Sequence, residues 1–348
     1  MRILNIMLGK SKGGLENVFL TYARLFVEMG HESFALCHKK SPYIEKFKEM
    51  NIPVETMGAS IWNPFAYRSL IQTIKKVQPD ILCLHGNRAI YFATSKIVTS
   101  HIHPFPKIIA TAHNNRNRQF YKLDAIFSIS QVIKNDLVDR FHIPPEKIFL
   151  CPNSVPFPES TPKTYALHTP FTIGFCGRLH PVKGVDILLK ACKELKEKEK
   201  NFQLLIAGDG PCAEQYKKLV CDYALTDHVT FLGWINDKKA FFDKIDVLCL
   251  PSRSEGQPLS LLEGLSYAKP LVISACPGMS EIASQAQCAL SFPIEDASAL
   301  CEQLFRLIQE PELCPQFSQN AYTLFLERYN ETVQKENLAM GIESVLKH

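Results

Sequence analysis

Apolar positions along residues 1–165 alternate between short, nearly continuous runs and longer stretches of helical spacing. Strand-like runs fall at 3–8, 33–38, 54–57, 81–85, 107–112, 125–130 and 148–151. Between them, 15–29, 42–50, 67–77, 89–100 and a stretch through Asp139 carry the 3.6-residue period of helices. A second series follows, with strands expected at 172–176, 203–207, 229–232, 247–250 and 271–274 and helices at 184–197, 212–223, 238–245 and 258–268. Residues 298–309 and 317–347 read as terminal helices.

Strands alternating with helices in this way predict parallel sheets wrapped on both faces. The stretch 152–170 separates the two series and holds five prolines, Pro152, Pro156, Pro158, Pro162 and Pro170, which marks a joint. The expected architecture is α/β: two doubly wound, Rossmann-like domains facing a central cleft. The expected boundaries are 1–165 for the first domain, 166–320 for the second, and 321–348 for a C-terminal helix returning to the first. Such sheets bind ligands at the carboxyl ends of their strands.

Composition narrows this picture. The 348 residues are 46% hydrophobic and 21% charged, a globular balance. No apolar run approaches the ~18 residues of a membrane span. Residues 1–9 read as a first strand rather than a leader, and the expected compartment is the cytoplasm. The twelve cysteines form no Cys-x-x-Cys pair and mostly sit in apolar runs, as with Cys37, Cys83, Cys176 and Cys249, so buried free thiols are expected. Charge is uneven. Residues 1–165 hold 21 Lys and Arg against 12 Asp and Glu, a net +9, and the remainder 18 against 23, a net −5. A basic first half suits an anionic partner such as a membrane face, and it equally suits simple solvation.

The chemistry concentrates at strand ends. After the apolar run 245–250 come Glu255, a turn at Gly256, Pro258 at a helix start, and Glu263 within the helix. A strand, an acidic loop, a helix N-terminus and a second acid suit a ligand with hydroxyls and phosphate. The competing reading makes Glu255 a helix cap and puts Glu263 on the wet face. Gly177-Arg178-Leu179-His180-Pro181-Val182-Lys183-Gly184 follows the first strand of the second domain, and Arg178 and Lys183 are suited to converging on one diphosphate.

The loop Gly9-Lys10-Ser11-Lys12-Gly13-Gly14-Leu15-Glu16 misses the P-loop pattern, because Leu15 stands where its lysine belongs, and it also misses Gly-x-Gly-x-x-Gly. Gly13 and Gly14 remain either a plain turn or a place where backbone meets phosphate or sugar. Gly208-Asp209-Gly210 and Thr111-Ala112-His113-Asn114-Asn115 end two further strands. No His-Glu-x-x-His, Asp-x-Asp or Gly-x-Ser-x-Gly pattern is present, so no metal site, cofactor or hydrolase triad is expected.

Together these motifs resemble the GT-B retaining glycosyltransferases of family 4 (glycosyl transferases group 1). The resemblance spans nearly the whole chain. Its most specific part is Glu255 with Glu263, the family's Glu-x7-Glu. Gly13-Gly14, His113, Gly177-Arg178 with Lys183-Gly184, Ala207-Gly208-Asp209-Gly210-Pro211, Phe231-Leu232-Gly233 and Pro277-Gly278-Met279-Ser280-Glu281-Ile282 follow in the family's order.

The resemblance implies a metal-independent hexosyltransferase using a nucleotide sugar, UDP-linked ahead of GDP- or ADP-linked. The implied acceptor is a lipid-linked or lipopolysaccharide-type glycan at the inner face of a membrane. Arg178 and Lys183 would hold the donor diphosphate, with Leu259 and Ser260 amides beside it. Glu255 would bind the transferred sugar and Glu263 the ribose. Gly13 and Gly14 would let the first helix approach the donor phosphate or the acceptor, and His113 would lie by the sugar. The implied catalytic set is Glu255, His113, Arg178 and Lys183.

Three departures from the family pattern stand out: Asn153-Ser154-Val155-Pro156 after the joint strand, Gln257 where an aromatic is common, and Cys276 before Pro277. The last two leave the sugar open. A nucleotide-sugar epimerase of the same fold and a non-catalytic nucleotide-sugar-binding protein are the competing readings.

Overall fold

A computed structural model describes residues 1–10, 13–58, 60–113, 118–160 and 165–347. The chain forms two compact units, Met1–Asn153 together with Thr332–His348, and Ser154–Glu331.

In the first unit, β1 (Arg2–Met7), β2 (Glu32–His38), β3 (Val54–Met57), β4 (Ile81–His85), β5 (Lys107–Ala112), β6 (Ala125–Ser128) and β7 (Ile148–Leu150) form one sheet. Its order is β3-β2-β1-β4-β5-β6-β7, with every pairing parallel. The strands are apolar on both faces because helices cover both. One face packs Leu4, Ile6, Leu82, Leu84 and Ile108 against Leu70, Ile74 and Phe92. The other packs Met7, Ala35 and Cys37 beneath Phe19 and Ala23.

The helix Glu331–Lys347 joins this unit through Gly341, where an added Cβ would meet Phe127 Cε1 at 2.2 Å. Gln334 donates to the Pro152 carbonyl at 2.9 Å, and Lys335 pairs with Glu28 at 3.1 Å. The stretch 317–347 is therefore not one helix. Leu313–Leu324 ends in a π-turn, Phe325–Tyr329, and Asn330 breaks the run by bridging to Val155. The stretch 89–100 also divides, into Gly86–Ala93 and Lys96–Thr99, because Thr94 Oγ1 donates back to Ile90 O and Ser95 caps the second piece.

In the second unit, β8 (Phe171–Cys176), β9 (Phe202–Ala207), β10 (Val229–Gly233), β11 (Val247–Leu250), β12 (Leu271–Ser274) and β13 (Ala289–Phe292) form a parallel sheet. Its order is β10-β9-β8-β11-β12-β13. Strand order reverses between β8 and β11, so the loops that leave these neighbours diverge to opposite faces and open a crevice. That crevice positions the candidate site. All twelve cysteines are free thiols, and Cys221 alone is exposed. Among the described residues no helix is long and apolar enough to cross a membrane.

Candidate active site

The loop after β8 is pressed onto the end of β11. Gly184 adopts φ +68°, and a Cβ there would fall 2.0 Å from the Pro251 carbonyl oxygen, so only glycine fits. The 3-10 turn Pro181–Lys183 is capped by His180, whose side chain accepts the Val182 N–H at 3.3 Å. Arg253 clamps the turn from the β11 side. Its backbone N–H donates to Val182 O at 2.8 Å. Its guanidinium donates to both oxygens of Asp186 at 3.0 and 2.7 Å and to Glu295 at 2.6 Å. Two-pronged pairing of this kind fixes orientation as well as distance.

The clamp delivers Lys183 to Glu255. The ammonium lies 2.5 Å from Glu255 Oε1, which also accepts from Ser252 Oγ at 3.0 Å. The two side chains are 24% and 13% exposed, so the pair sits partly out of water at the surface of the crevice. Glu255 does not cap the following helix: Pro258 occupies the N-cap of Leu259–Ser266, and no side chain caps it. Leu259 and Ser260 form the first turn, and a helix's first N–H groups have no partner within the helix. From below, the helix Pro277–Ala286 supports Glu255, with Gly278 directly under the Gly256 carbonyl.

Glu263, one turn into Leu259–Ser266, is not on a wet face. Its carboxylate accepts from Lys238 Nζ at 3.1 Å, and Lys238 also donates to Cys176 Sγ at 3.3 Å. Burial pushes the Glu263 carboxyl above the ordinary carboxylate range, against the pull of the Lys238 ammonium. Arg178 shares the loop with Lys183 but is exposed, without an ion-pair partner among the described residues. That loop stacks on the turn after β9. Cβ atoms at Gly208 and Gly210 would fall 1.8 Å from Gly177 O and 2.3 Å from Leu179 O.

Lys238 and Arg253 are the charged residues of the candidate site that sequence patterning missed. Neither belongs to a motif with recognisable spacing, and each reaches the site by a tertiary contact.

The remaining candidates belong to the first unit. Gly13 caps the helix Gly14–Glu28. Cβ atoms at Gly9 and Gly13 would lie 2.9 and 3.1 Å from the Glu16 carboxylate, so the glycines make room for this chain's own buried acid. Ser11 and Lys12 of that loop, and Asn114 and Asn115 after His113, lie outside the described residues. His113 follows β5 directly, with its Nε2 buried and without a hydrogen-bond partner among the described residues. Burial pulls its pKa down to about 4, so it is a neutral imidazole at pH 7. Behind it, Asn5 Nδ2 donates to Phe19 O, leaving Asn5 Oδ1 to accept from His85 Nε2 at 2.8 Å.

A switch-point crevice lined by two strand-end loops, a helix N-terminus, two carboxylates and three cations defines a site for a hydroxyl-rich anion. The model for "Glycosyl transferases group 1" matches residues 157–324, and that for "Glycosyltransferase Family 4" matches residues 12–157. The chain belongs to the family 4 (group 1) glycosyltransferases, a retaining family with the GT-B fold.

It is 25% identical over 326 residues to an uncharacterized glycosyltransferase of Haemophilus influenzae, covering 88% of this chain and 90% of that one. To the putative colanic acid biosynthesis glycosyltransferase WcaL of Escherichia coli it is 30% identical over 207 residues, covering 56% and 51%. In fold it matches Anabaena Alr3699/HepE, crystallised with UDP and glucose, at a TM-score of 0.81 and 15% identity over 99% and 100% of the two chains.

Proposed function

We propose that this chain transfers a hexosyl residue, with retention, from a UDP-sugar to a hydroxyl of a lipid-linked or lipopolysaccharide-type glycan, as a cytoplasmic protein in peripheral contact with the inner membrane face. The Lys183–Glu255 pair carries the reading, because it joins a cation and an acid that the proposed substrate uses separately. The donor diphosphate takes Lys183, together with Arg178 and the amides of Leu259 and Ser260. The sugar hydroxyls take Glu255, and the ribose hydroxyls take Glu263, held by Lys238. Charge-assisted contacts of this type contribute about 1.5–3 kcal/mol each.

As the anomeric C–O bond breaks, negative charge grows on the leaving diphosphate and positive charge on the anomeric carbon. Arg178 and Lys183, carried on one loop, stabilise that charge. The leaving phosphate oxygen accepts the acceptor's proton, so no side-chain nucleophile is required. Neutral His113 serves as a hydrogen-bonding partner for the sugar. The loop around Gly13 and Gly14 meets the donor phosphate or the acceptor through its backbone. The colanic acid connection of the relative in Escherichia coli supports a glycan acceptor.

The test is a panel of UDP-, GDP- and ADP-hexoses incubated with and without membrane glycolipid extract. Acceptor-dependent release of the nucleoside diphosphate, with incorporated sugar, is the expected result. Interconversion of free donors without acceptor indicates the epimerase reading, and binding without turnover indicates a non-catalytic protein.

A further inference from the structure

Glu255 engages one of its oxygens within the chain and leaves the other open. Oε1 accepts from Lys183 Nζ at 2.5 Å and from Ser252 Oγ at 3.0 Å, and among the described residues none bonds to Oε2. Donor binding as proposed above takes Lys183 away to the diphosphate. Ser252 is then the side chain left to fix how the carboxylate is turned.

Ser252 suits that task because its own backbone is pinned. Leu250 of β11 pairs with Ile273 of β12, so the residues after both strands leave the sheet side by side. The Ser252 carbonyl oxygen accepts from Ser274 Oγ at 2.5 Å and from Cys276 Sγ at 3.0 Å. A carbonyl oxygen has two lone pairs, and these two donors occupy both. Ser252, Ser274 and Cys276 are all buried, so water does not compete for these bonds. Burial pushes the Cys276 thiol pKa up, so the thiol stays protonated and its S–H donates.

Cys276 is held in turn by the helix that it opens. It is the N-cap of Pro277–Ala286, and its carbonyl accepts the Met279 and Ser280 N–H groups at 2.9 and 2.8 Å. Its own N–H donates to Ser274 O at 2.8 Å. A continuous line of hydrogen bonds therefore runs from the helix start through the thiol to Ser252 and on to Glu255. Cys276 is fully buried, so its influence on a bound sugar passes through Ser252.

We propose that Ser252 is a positioning residue: it holds Glu255 Oε1 once Lys183 has left, so that Oε2 reads one sugar hydroxyl in one direction, with Ser274 and Cys276 setting Ser252 itself. The inference rests on the donor reading above and adds to it a determinant of which hexose is taken. A carboxylate fixed by one oxygen accepts a hydroxyl from one side, whereas a carboxylate free to turn follows either epimer. Sites built around one particular hydroxyl discriminate against analogues that misplace it.

The test is calorimetric binding of UDP, UDP-glucose and UDP-galactose to the unaltered protein, Ser252→Ala, Cys276→Ala and Cys276→Ser. Ser252→Ala should leave UDP affinity within about twofold, weaken the preferred hexose donor about tenfold, and narrow the ratio between the two hexoses by a similar factor. Cys276→Ala should move the same quantities the same way by about threefold, since a thiol is the weaker donor. Cys276→Ser keeps a donor on the Ser252 carbonyl and should bind all three ligands like the unaltered protein. Retained UDP binding reports that each variant is folded.

Equal loss of UDP and of both hexose donors in Ser252→Ala would make Ser252 a support of the whole loop and overturn the proposal. An unchanged hexose ratio in Ser252→Ala, or equal binding of both hexoses by the unaltered protein, would overturn it too. Should Ser252→Ala not fold, the Cys276 pair decides, and identical binding by Cys276→Ala and Cys276→Ser would count against the proposal. Failure of the donor reading shows differently, as absence of UDP binding by the unaltered protein, and this inference would fall with it.

Discussion

Gly278 lies directly beneath Gly256: a methyl group on Gly278 would fall 1.5 Å from the Gly256 carbonyl oxygen and 2.9 Å from that of Glu255. The helix Pro277–Ala286 is thus the floor on which the acidic loop rests. Gly278→Ala must push that loop away, and overpacking of this kind costs about 1–3 kcal/mol. The expected result is a lower melting temperature together with a loss of transfer larger than the stability loss explains. Sugar transfer and thermal unfolding measured on the same preparation check this.

Arg253 holds the Lys183 turn through a planar fork on Asp186. Lysine keeps the charge but cannot reproduce two parallel N–H donors. Arg253→Lys should raise the donor KM about tenfold with a smaller change in kcat, because it loosens a binding loop and removes no reacting group. A steady-state titration of donor at saturating acceptor is the measurement. An unchanged KM would show that the turn holds Lys183 unaided.

The histidines of the first unit set a pH dependence of stability. His113 is held at about 4 by burial, and His85 lies well below its ordinary value through burial and then through His113. Each is depressed relative to the unfolded chain, where histidine titrates near 6.5. As pH falls below about 6.5 the unfolded state takes up protons that the native state refuses, so stability falls and reaches its full loss below about 4. For His113 the loss is at most about 3 kcal/mol. Melting temperature against pH for His113→Gln should slope less steeply over that window than for the unaltered protein. Equal slopes would mean that His113 is accessible to protons.

Much of this was legible in the chain itself. Both strand series, Glu255, Glu263 and the Arg178–Lys183 loop rest on local patterns, and periodicity or motif spacing reports those directly. Contacts between distant segments were not legible. Lys238 meets Glu263 across 25 residues and Arg253 meets Asp186 across 67, and from sequence alone each is one more loop charge. Glu16 carries no pattern that marks it as buried, yet it is, because its carboxylate turns into the loop before its own helix. The division at Thr94 and Ser95 escaped because the apolar period runs through it, while side-chain bonds to backbone decide the break.

Loss of Glu255 should separate chemistry from folding. The Lys183–Glu255 pair is neither fully exposed nor fully buried, and freed Lys183 still reaches water. Glu255→Ala should therefore shift stability by about 1 kcal/mol and the melting temperature by only a few degrees. Transfer should fall about 10²-fold or more. Collapse of the fold would instead make Glu255 a structural residue.

The proposed transfer requires Lys183 and Glu255 to exchange each other for different parts of one donor. Calorimetric binding of UDP and of UDP-glucose to the unaltered protein, Lys183→Ala and Glu255→Ala tests this most directly. Lys183→Ala should weaken both ligands about tenfold or more. Glu255→Ala should weaken UDP-glucose while UDP binds as well or more tightly, because its lysine is released. Unchanged affinity for both ligands in both variants, or equal loss of UDP in Glu255→Ala, would contradict the assignment.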